Sequence, residues 1–137
     1  MIIGTQLQAA IFEALTAFPA IAGGRVYDDV PPEDDRVAET GAADPYVTIG
    51  DDQVLDDGNS CDDGWEIFAD VDIWSRAVGY DEVKSIGVEV VERVRSITSI
   101  AGFQVIAASL SRYQPMRDPD GITRRLAITF RFLLNPA

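Results

Sequence analysis

The chain has no histidine, one cysteine (Cys61) and one lysine (Lys84) among its 137 residues. Histidine is the commonest general base and metal ligand, and its absence excludes Ser-His and Cys-His nucleophiles. A single cysteine excludes an intramolecular disulfide and a cysteine-cluster zinc site. No apolar run approaches the ~18 residues of a membrane span, and residues 1–4 lack the basic start of a signal peptide. We therefore expect no catalytic residues, no cofactor and no membrane contact, and we predict that the protein is not an enzyme.

Acidic residues are concentrated in one part of the chain. The sequence holds 23 Asp and Glu against 11 Lys and Arg, a net charge of −12. Between positions 28 and 63 there are thirteen acids and one base, Arg36, so the rest of the chain is neutral. We predict long acidic loops at about residues 28–45 and 56–64. Such a surface repels phosphate, which argues against gripping nucleic acid there.

Five pairs of adjacent aspartates suggest a possible metal site. They are Asp28-Asp29, Asp34-Asp35, Asp51-Asp52, Asp56-Asp57 and Asp62-Asp63. A calcium loop needs oxygen ligands at set spacing, a glycine that turns the loop and a distal glutamate. Neither residues 56–63 nor residues 118–124 keep that pattern. We therefore predict solvated acidic loops without a metal; a site assembled from separate segments is the alternative.

Hydrophobic periodicity predicts two helices. Leu7, Ile11 and Leu15 fall on one helical face, and Pro19 ends that helix near Phe18. The buried stripe of the second helix consists of Val83, Ile86, Val90, Val94 and Ile97.

Alternating apolar residues predict the strands. One run covers residues 46–49 and continues toward 55, and a second covers residues 65–74. Residues 103 to about 113 show a mixed pattern, which indicates burial on both faces. The last run ends at residue 134 and alternates most regularly. The fold class predicted for residues 1–137 is therefore a single α+β domain, with a mainly antiparallel sheet of about four to five strands and two helices packed on one face.

The two tryptophans lie on opposite faces of the strand at 65–74, because nine positions separate them. We predict that Trp65 lies in the core. Trp74, on the more polar face, is either an interface anchor or part of a second buried layer.

Basic residues gather on the last predicted hairpin. They are Arg112, Arg117, Arg124, Arg125 and Arg131. Together with the acidic segment 28–63 they make the molecule electrically two-ended. This arrangement suits head-to-tail packing of identical subunits, and solvation of two separate surfaces is the alternative.

A succession of short motifs resembles one family along almost the whole chain. The motifs are Gly23-Gly24-Arg25-Val26-Tyr27-Asp28-Asp29-Val30-Pro31, Pro45-Tyr46-Val47-Thr48-Ile49-Gly50, Val71-Asp72-Ile73-Trp74-Ser75-Arg76 and Arg117-Asp118-Pro119-Asp120-Gly121. In this order, with a helix after the third and an alternating strand after the last, the sequence is similar to the tail-terminator (tail-completion) proteins of long-tailed bacteriophages, prophages and gene transfer agents. It departs from them in an acidic insertion at residues 33–44.

The resemblance implies a homohexameric ring that caps the growing tail tube, stops its polymerisation and joins the tail to the head. The implied partners are other copies of the chain, the tail tube protein and a head-side connector or stopper protein, while DNA passes through without specific binding. The implied location is the head–tail junction of a virion or gene-transfer particle assembled in the bacterial cytoplasm.

Two sets of residues are predicted to serve this role. We expect a subunit or partner interface at Trp74, Arg76, Tyr80, Arg112, Arg117, Arg124 and Arg125. We expect a lumen-facing or neck-facing acidic surface at Asp28, Asp29, Asp34, Asp35, Asp51, Asp52, Asp56, Asp57, Asp62 and Asp63, because a DNA conduit benefits from walls that repel phosphate.

Other functions remain open at this point. The chain could be another head–tail joining protein or a minor tail component. A small acidic adaptor would bind one partner through Trp74 or Tyr80 without closing a ring. A metal-dependent enzyme built on the acidic loops would bind divalent cations stoichiometrically.

Overall fold

A computed structural model describes residues 3–56 and 64–136. The helices in this part of the chain are α1 (Ile3–Thr16), α2 (Glu33–Thr40) and α3 (Asp81–Arg95), with a 3₁₀ turn at Ile21–Gly24. The strands are β1 (Val26–Tyr27), β2 (Tyr46–Asp56), β3 (Trp65–Ser75), β4 (Ser99–Ile100), β5 (Phe103–Arg117) and β6 (Arg124–Pro136). The predicted α+β class is confirmed, but the described residues contain three α-helices where two were predicted.

The strands form one six-stranded sheet in the order β1-β2-β3-β6-β5-β4. β1 runs parallel to β2, and every other neighbouring pair is antiparallel. The prediction of four to five antiparallel strands therefore missed a strand and the parallel pair. Both β1 and β4 have two residues, which is too short for an alternating pattern to reveal.

The core lies between one face of the sheet and the two long helices. β3 and β6 are the central strands, and alternate residues of each are buried from Ile67 to Ile73 and from Leu126 to Leu134. Leu7, Ile11 and Leu15 of α1 and Val83, Val90 and Val94 of α3 complete the same cluster. Full burial of each such side chain contributes roughly 1.5–3 kcal/mol. This one-sided burial explains why the alternation in β3 and β6 was readable from the sequence.

Arg93 fastens α3 to the end of α1. Its guanidinium donates to the carbonyl oxygens of Ala17 at 2.9 Å and Pro19 at 2.5 Å, and more weakly to those of Ala14 and Leu15. The last carbonyls of a helix have no partner within the helix, and a cation there also opposes the negative end of the helix dipole. The contact fixes which flank of α3 faces α1.

The segment 28–45 is not the structureless loop that the sequence predicted. α2 occupies residues 33–40 and ends at Gly41, whose φ of 88° closes the last turn with a hydrogen bond from its amide to the carbonyl of Val37. α2 has no buried residue. At the second predicted loop, 56–64, β2 continues to Asp56, and residues 57–63 lie outside the described part of the chain.

β5 is not buried on both faces, which corrects the prediction from its mixed pattern. It pairs with β6 along its length, but within the described residues β4 pairs with it at Phe103 and Gln104 alone. The rest of β5 is therefore an edge of the sheet, and no residue of the strand is fully buried. Two β-bulges, at Val105/Ala107 and Leu110/Arg112, interrupt its register with β6.

Candidate interaction surfaces

Trp74 lies in a row of stacked side chains on the face of the sheet away from the helices, here called the outer face. Its ring stacks on Tyr46 of β2, with centroids 6.2 Å apart and planes at 15°. The Arg125 guanidinium, on the neighbouring strand β6, lies 4.9 Å from the centroid of the Trp74 ring. Its indole Nε1 donates to the hydroxyl of Thr48 at 3.0 Å. The parity argument placed Trp74 on the correct face, and the structure adds that it is half-buried by its own neighbours.

Ion pairs cross the outer face between β3 and β6. Arg125 donates to Asp72 at 2.6 Å, and Arg131 donates to Glu66 at 2.5 Å. Burial raises the pKa of the Asp72 carboxyl, and the hydrogen bond and charge of Arg125 oppose that rise. Arg125 and Arg131 are thus neutralised within the molecule. Two of the five arginines predicted to gather on this hairpin are therefore paired with carboxylates of β3.

Tyr80 and Arg124 lie on the other side of the sheet from Trp74. Arg124 is paired in register with Ser75, which is fully buried and lies on the same face of β3 as the core residue Ile73. The Arg124 guanidinium lies 5.5 Å from the Tyr80 ring centroid and donates to the carbonyl oxygens of Gly121 and Ile122. The predicted interface residues therefore form two groups on opposite faces.

The remaining predicted interface arginines are exposed. Arg112 donates to the side-chain oxygen of Gln114 two residues along β5. Arg76 and Arg117 lie at the same end of the sheet, after β3 and at the end of β5. Among residues 3–56 and 64–136, none of these three forms an ion pair. They are the part of the predicted basic set that is available to a partner.

The predicted acidic residues are spread over three places. Asp28 and Asp29 follow β1 and line a cleft against α1, where Asp28 accepts a hydrogen bond from the Gln8 amide at 3.0 Å. Asp34 and Asp35 lie in the first turn of α2, where negative side chains interact favourably with the positive end of the helix dipole. The last two described members, Asp51 and Asp52, lie at a β-bulge in β2.

The other members of the acidic set are Asp56, Asp57, Asp62 and Asp63. Asp56 ends β2, and its side chain is not described. Asp57, Asp62 and Asp63 lie outside the described residues.

Two arginines outside the predicted interface set hold the acidic segment in place. Arg25 is 7% exposed and donates to the carbonyls of Pro45 and Asp44 and to the Thr40 hydroxyl, at 2.7, 3.4 and 3.1 Å. Arg36 of α2 donates to two carbonyls of the same segment and lies 4.7 Å from the Tyr46 ring centroid. Arg25 lies inside the first family-like motif, and this position in the motif was the sequence feature that could have identified it.

The described residues contain neither a metal-binding cluster nor a membrane-spanning helix. They contain no group of three or more Asp, Glu or Cys side chains placed to hold a metal ion. In the same residues, no helix has the length and apolar character needed to cross a membrane.

Two comparisons with known proteins found matches. A family model described as "Tail completion protein gp17" matches residues 9–135. Thirty chains of solved structures match, among them one from a structure titled "Virion of native gene transfer agent (GTA) particle". That match covers 97% of this chain and 97% of the other, at 23% sequence identity and a TM-score of 0.83. At this identity it shows the fold alone. No curated protein matches the sequence.

Proposed function

The chain belongs to the tail completion protein gp17 family, and from this premise we propose that it closes the end of a tail tube as a ring. Proteins of this family are structural components of virions, so the chain is a structural protein of a phage or phage-like particle. The proposed ring has six identical subunits, ends polymerisation of the tube and joins the tail to the head. The family match over 127 of the 137 residues is the observation that carries the proposal.

In this proposal the ring contacts the tail tube protein on one side and a head-side connector or stopper protein on the other. Its place is the head–tail junction, reached after assembly in the bacterial cytoplasm. Residues 1–137 act as one domain, which is supported by the single sheet and single core of the described residues. Trp74, Arg76, Arg112 and Arg125 form one candidate contact surface. Tyr80, Arg124 and Arg117, which pairs in register with Arg124, form a second on the opposite side of the sheet.

The part of the acidic segment that contains α2 (Glu33–Thr40) is proposed to face the lumen or the neighbouring ring. Arg25 and Arg36 hold this segment as a fixed structure, so Asp34 and Asp35 at the start of α2 have defined positions. Carboxylates fixed along a conduit repel phosphate, so DNA would slide without binding. A ring structure with α2 on its outer rim would contradict this assignment.

The first experiment is light scattering across a concentration series at low and moderate salt. We expect a species near six times the 14.9 kDa subunit mass. Subunits held by exposed opposite charges should assemble less readily as salt rises. The functional readout is the length of tail tubes grown from the tube protein with and without this chain, since a terminator shortens them and remains at one end.

Three results would favour the alternatives to the ring. A chain that stays at 14.9 kDa and leaves tube length unchanged would favour a small acidic adaptor. A chain that binds the tube without ending its growth would favour a minor tail component. Stoichiometric binding of a divalent cation, with a thermal shift, would favour the metal-dependent alternative.

A further inference from the structure

The open edge of β5 carries apolar side chains that no described element covers. Ile106 and Leu110 are 53% and 42% exposed, and Tyr113 is exposed to a similar extent. Monomeric proteins rarely leave several large apolar side chains side by side at a strand edge without a partner.

The neighbouring flank of α3 continues this surface. Arg93 reaches α1 from one flank of the helix, and positions 84, 88, 91 and 95 follow the opposite flank at helical spacing. Gly87, next to that flank, lies beside the Tyr113 side chain. The flank presents Lys84, Val88 and Arg95, all of them exposed. We call the open edge of β5 together with this flank the β5 edge; it is apolar in the middle and mainly basic around it.

The opposite side of the molecule has the complementary character. α1, β1 and β2 enclose a cleft of about 470 Å³, with an apolar wall that includes Ala9, Phe12 and Ile49. Asp28 and Asp29 stand at its border, and no Lys or Arg occurs in α1, β1 or β2. Asp51 and Asp52 lie beside it, at the bulge of β2. We call this surface the β2 edge; it is an apolar cleft with an acidic border.

The two edges match in the position of their residues along the strands and in strand direction. Across the four long strands, Leu110 lies in the same row as Asp52, and Arg112 lies in the same row as the bulge that contains Asp51. Strand directions alternate along β2-β3-β6-β5, so a second copy whose β2 follows β5 continues the antiparallel order. Rotation about an axis along the strands then brings Arg112 of one copy level with Asp51 of the next.

We infer that the β5 edge of one subunit binds the β2 edge of a second copy of this chain. The exposed Ile106 and Leu110 enter the apolar cleft, and Arg112 faces Asp51 at the outer face. Apolar anchors within a charged border are the usual plan of a stable interface. The contact is head-to-tail, so it leaves a free edge of each kind until a ring closes. The inference rests on the proposed ring and names the surfaces that build it.

Two charge-reversal variants test the pairing. The first, Lys84→Glu/Arg112→Glu, makes the β5 edge acidic, and the second, Asp29→Lys/Asp51→Lys, makes the β2 edge basic. Each variant alone places like charges across the contact, which should raise the concentration for half-assembly at least about tenfold. Because each variant's altered edge complements the other's, a 1:1 mixture should assemble within about threefold of wild type.

The controls separate this inference from the ring itself. Glu89→Lys/Glu92→Lys changes as much charge on the exposed face of α3, outside the β5 edge, and should assemble as wild type does. Circular dichroism verifies that every variant is folded. Folded reversal variants that assemble normally, or a mixture that stays apart, would overturn the pairing while leaving the ring standing. A wild-type chain that neither assembles nor shortens tubes would overturn the ring.

Discussion

The Arg125 guanidinium lies over the Trp74 ring at 4.9 Å and simultaneously donates a hydrogen bond of 2.6 Å to Asp72. One side chain of β6 thus both covers an aromatic ring of β3 and neutralises a carboxylate of that strand. Asp72 is 14% exposed and Arg125 38%, so this pair is more shielded from water than a typical surface ion pair.

Replacing Arg125 should destabilise the fold in a pH-dependent way. Arg125→Met leaves the Asp72 carboxylate without its cation, which should lower the free energy of unfolding by about 1–2 kcal/mol at pH 7. Burial raises the pKa of Asp72, so the native state binds this proton more readily than the unfolded chain, and loss of Arg125 should raise that pKa further. The difference in free energy of unfolding between wild type and the variant should therefore become smaller as the pH falls toward 4.

Denaturant unfolding of wild type and Arg125→Met at pH 7 and pH 4 measures this effect. Arg117→Met is the matched control, because Arg117 is exposed and forms no ion pair with any described residue. A deficit of equal size at both pH values would mean that packing on Trp74, and not the charge of Asp72, accounts for the role of Arg125.

The sequence predicted the centre of the fold better than its borders. In β3 and β6 every second residue faces one core, so the local pattern carries the tertiary information. α2 has no such pattern, since Val37, its one large apolar residue, is exposed. It is held by Arg25 from another segment, and a contact of that kind leaves no periodic signal. The apolar residues of β5 suggested burial because the sequence does not tell which strand is an edge.

The same limit applies to the candidate surfaces. Parity identified the face of Trp74, but pairing of Arg125 with Asp72 and of Arg131 with Glu66 depends on the register of β3 with β6. Two arginines of the basic hairpin are therefore neutralised by carboxylates of β3. These carboxylates are more than fifty residues away in the sequence, so the sequence alone did not reveal the pairing. The family resemblance, by contrast, used motif order alone and was confirmed by the match over residues 9–135.

Gly87 is required where α3 crosses the sheet. A Cβ at this position would lie 2.5 Å from Leu126 Cδ2 and 3.3 Å from the Tyr113 hydroxyl. Leu126 is fully buried, so the methyl group has little room to move. Overpacking typically lowers the free energy of unfolding by about 1–3 kcal/mol. The higher helix propensity of Ala over Gly raises it by up to about 1 kcal/mol. We expect Gly87→Ala to destabilise the protein by about 1–2 kcal/mol.

Thermal and denaturant unfolding of Gly87→Ala would measure this loss. Ser85→Ala is the control, because Ser85 lies on the exposed face of the same helix and should be neutral or slightly stabilising. A stabilised Gly87→Ala variant would show that α3 can shift away from β5 and β6 at low cost.

The turn before β6 contains the acid with the lowest pKa among those with a resolved shift. Asp120 accepts hydrogen bonds from the Thr123 hydroxyl at 2.6 Å and from the amides of Thr123 and Ile122 at 2.8 Å. These bonds lower its pKa from 3.8 to about 2. Its contribution to stability is therefore complete above pH 3.8 and is lost as the pH falls through about 2.

Asp120→Ala should melt at a lower temperature than wild type at pH 7. It should also lose less of its melting temperature between pH 4 and pH 2, because the titrating group is gone. The measurement is the melting temperature against pH for wild type, Asp120→Ala and the control Asp118→Ala, which alters a carboxylate of the same turn. Parallel curves for wild type and Asp120→Ala would contradict the assignment.

Arg25 should determine whether the acidic segment has a fixed structure. Arg25→Met keeps most of the side-chain volume but removes the hydrogen bonds to Pro45, Asp44 and Thr40. A charge-assisted hydrogen bond contributes about 1.5–3 kcal/mol, and α2 has no buried apolar residue to compensate. We expect amide hydrogen exchange in α2 to accelerate at least about tenfold, while amides of β3 and β6 keep their protection. Arg25→Lys should be intermediate, because an ammonium cannot reach three separate acceptors in the geometry of a guanidinium.

Unchanged exchange in α2 would mean that Arg36 alone holds the segment. Accelerated exchange throughout β3 and β6 would instead make Arg25 part of the global core, and the acidic surface would then not be separable from the fold that carries it.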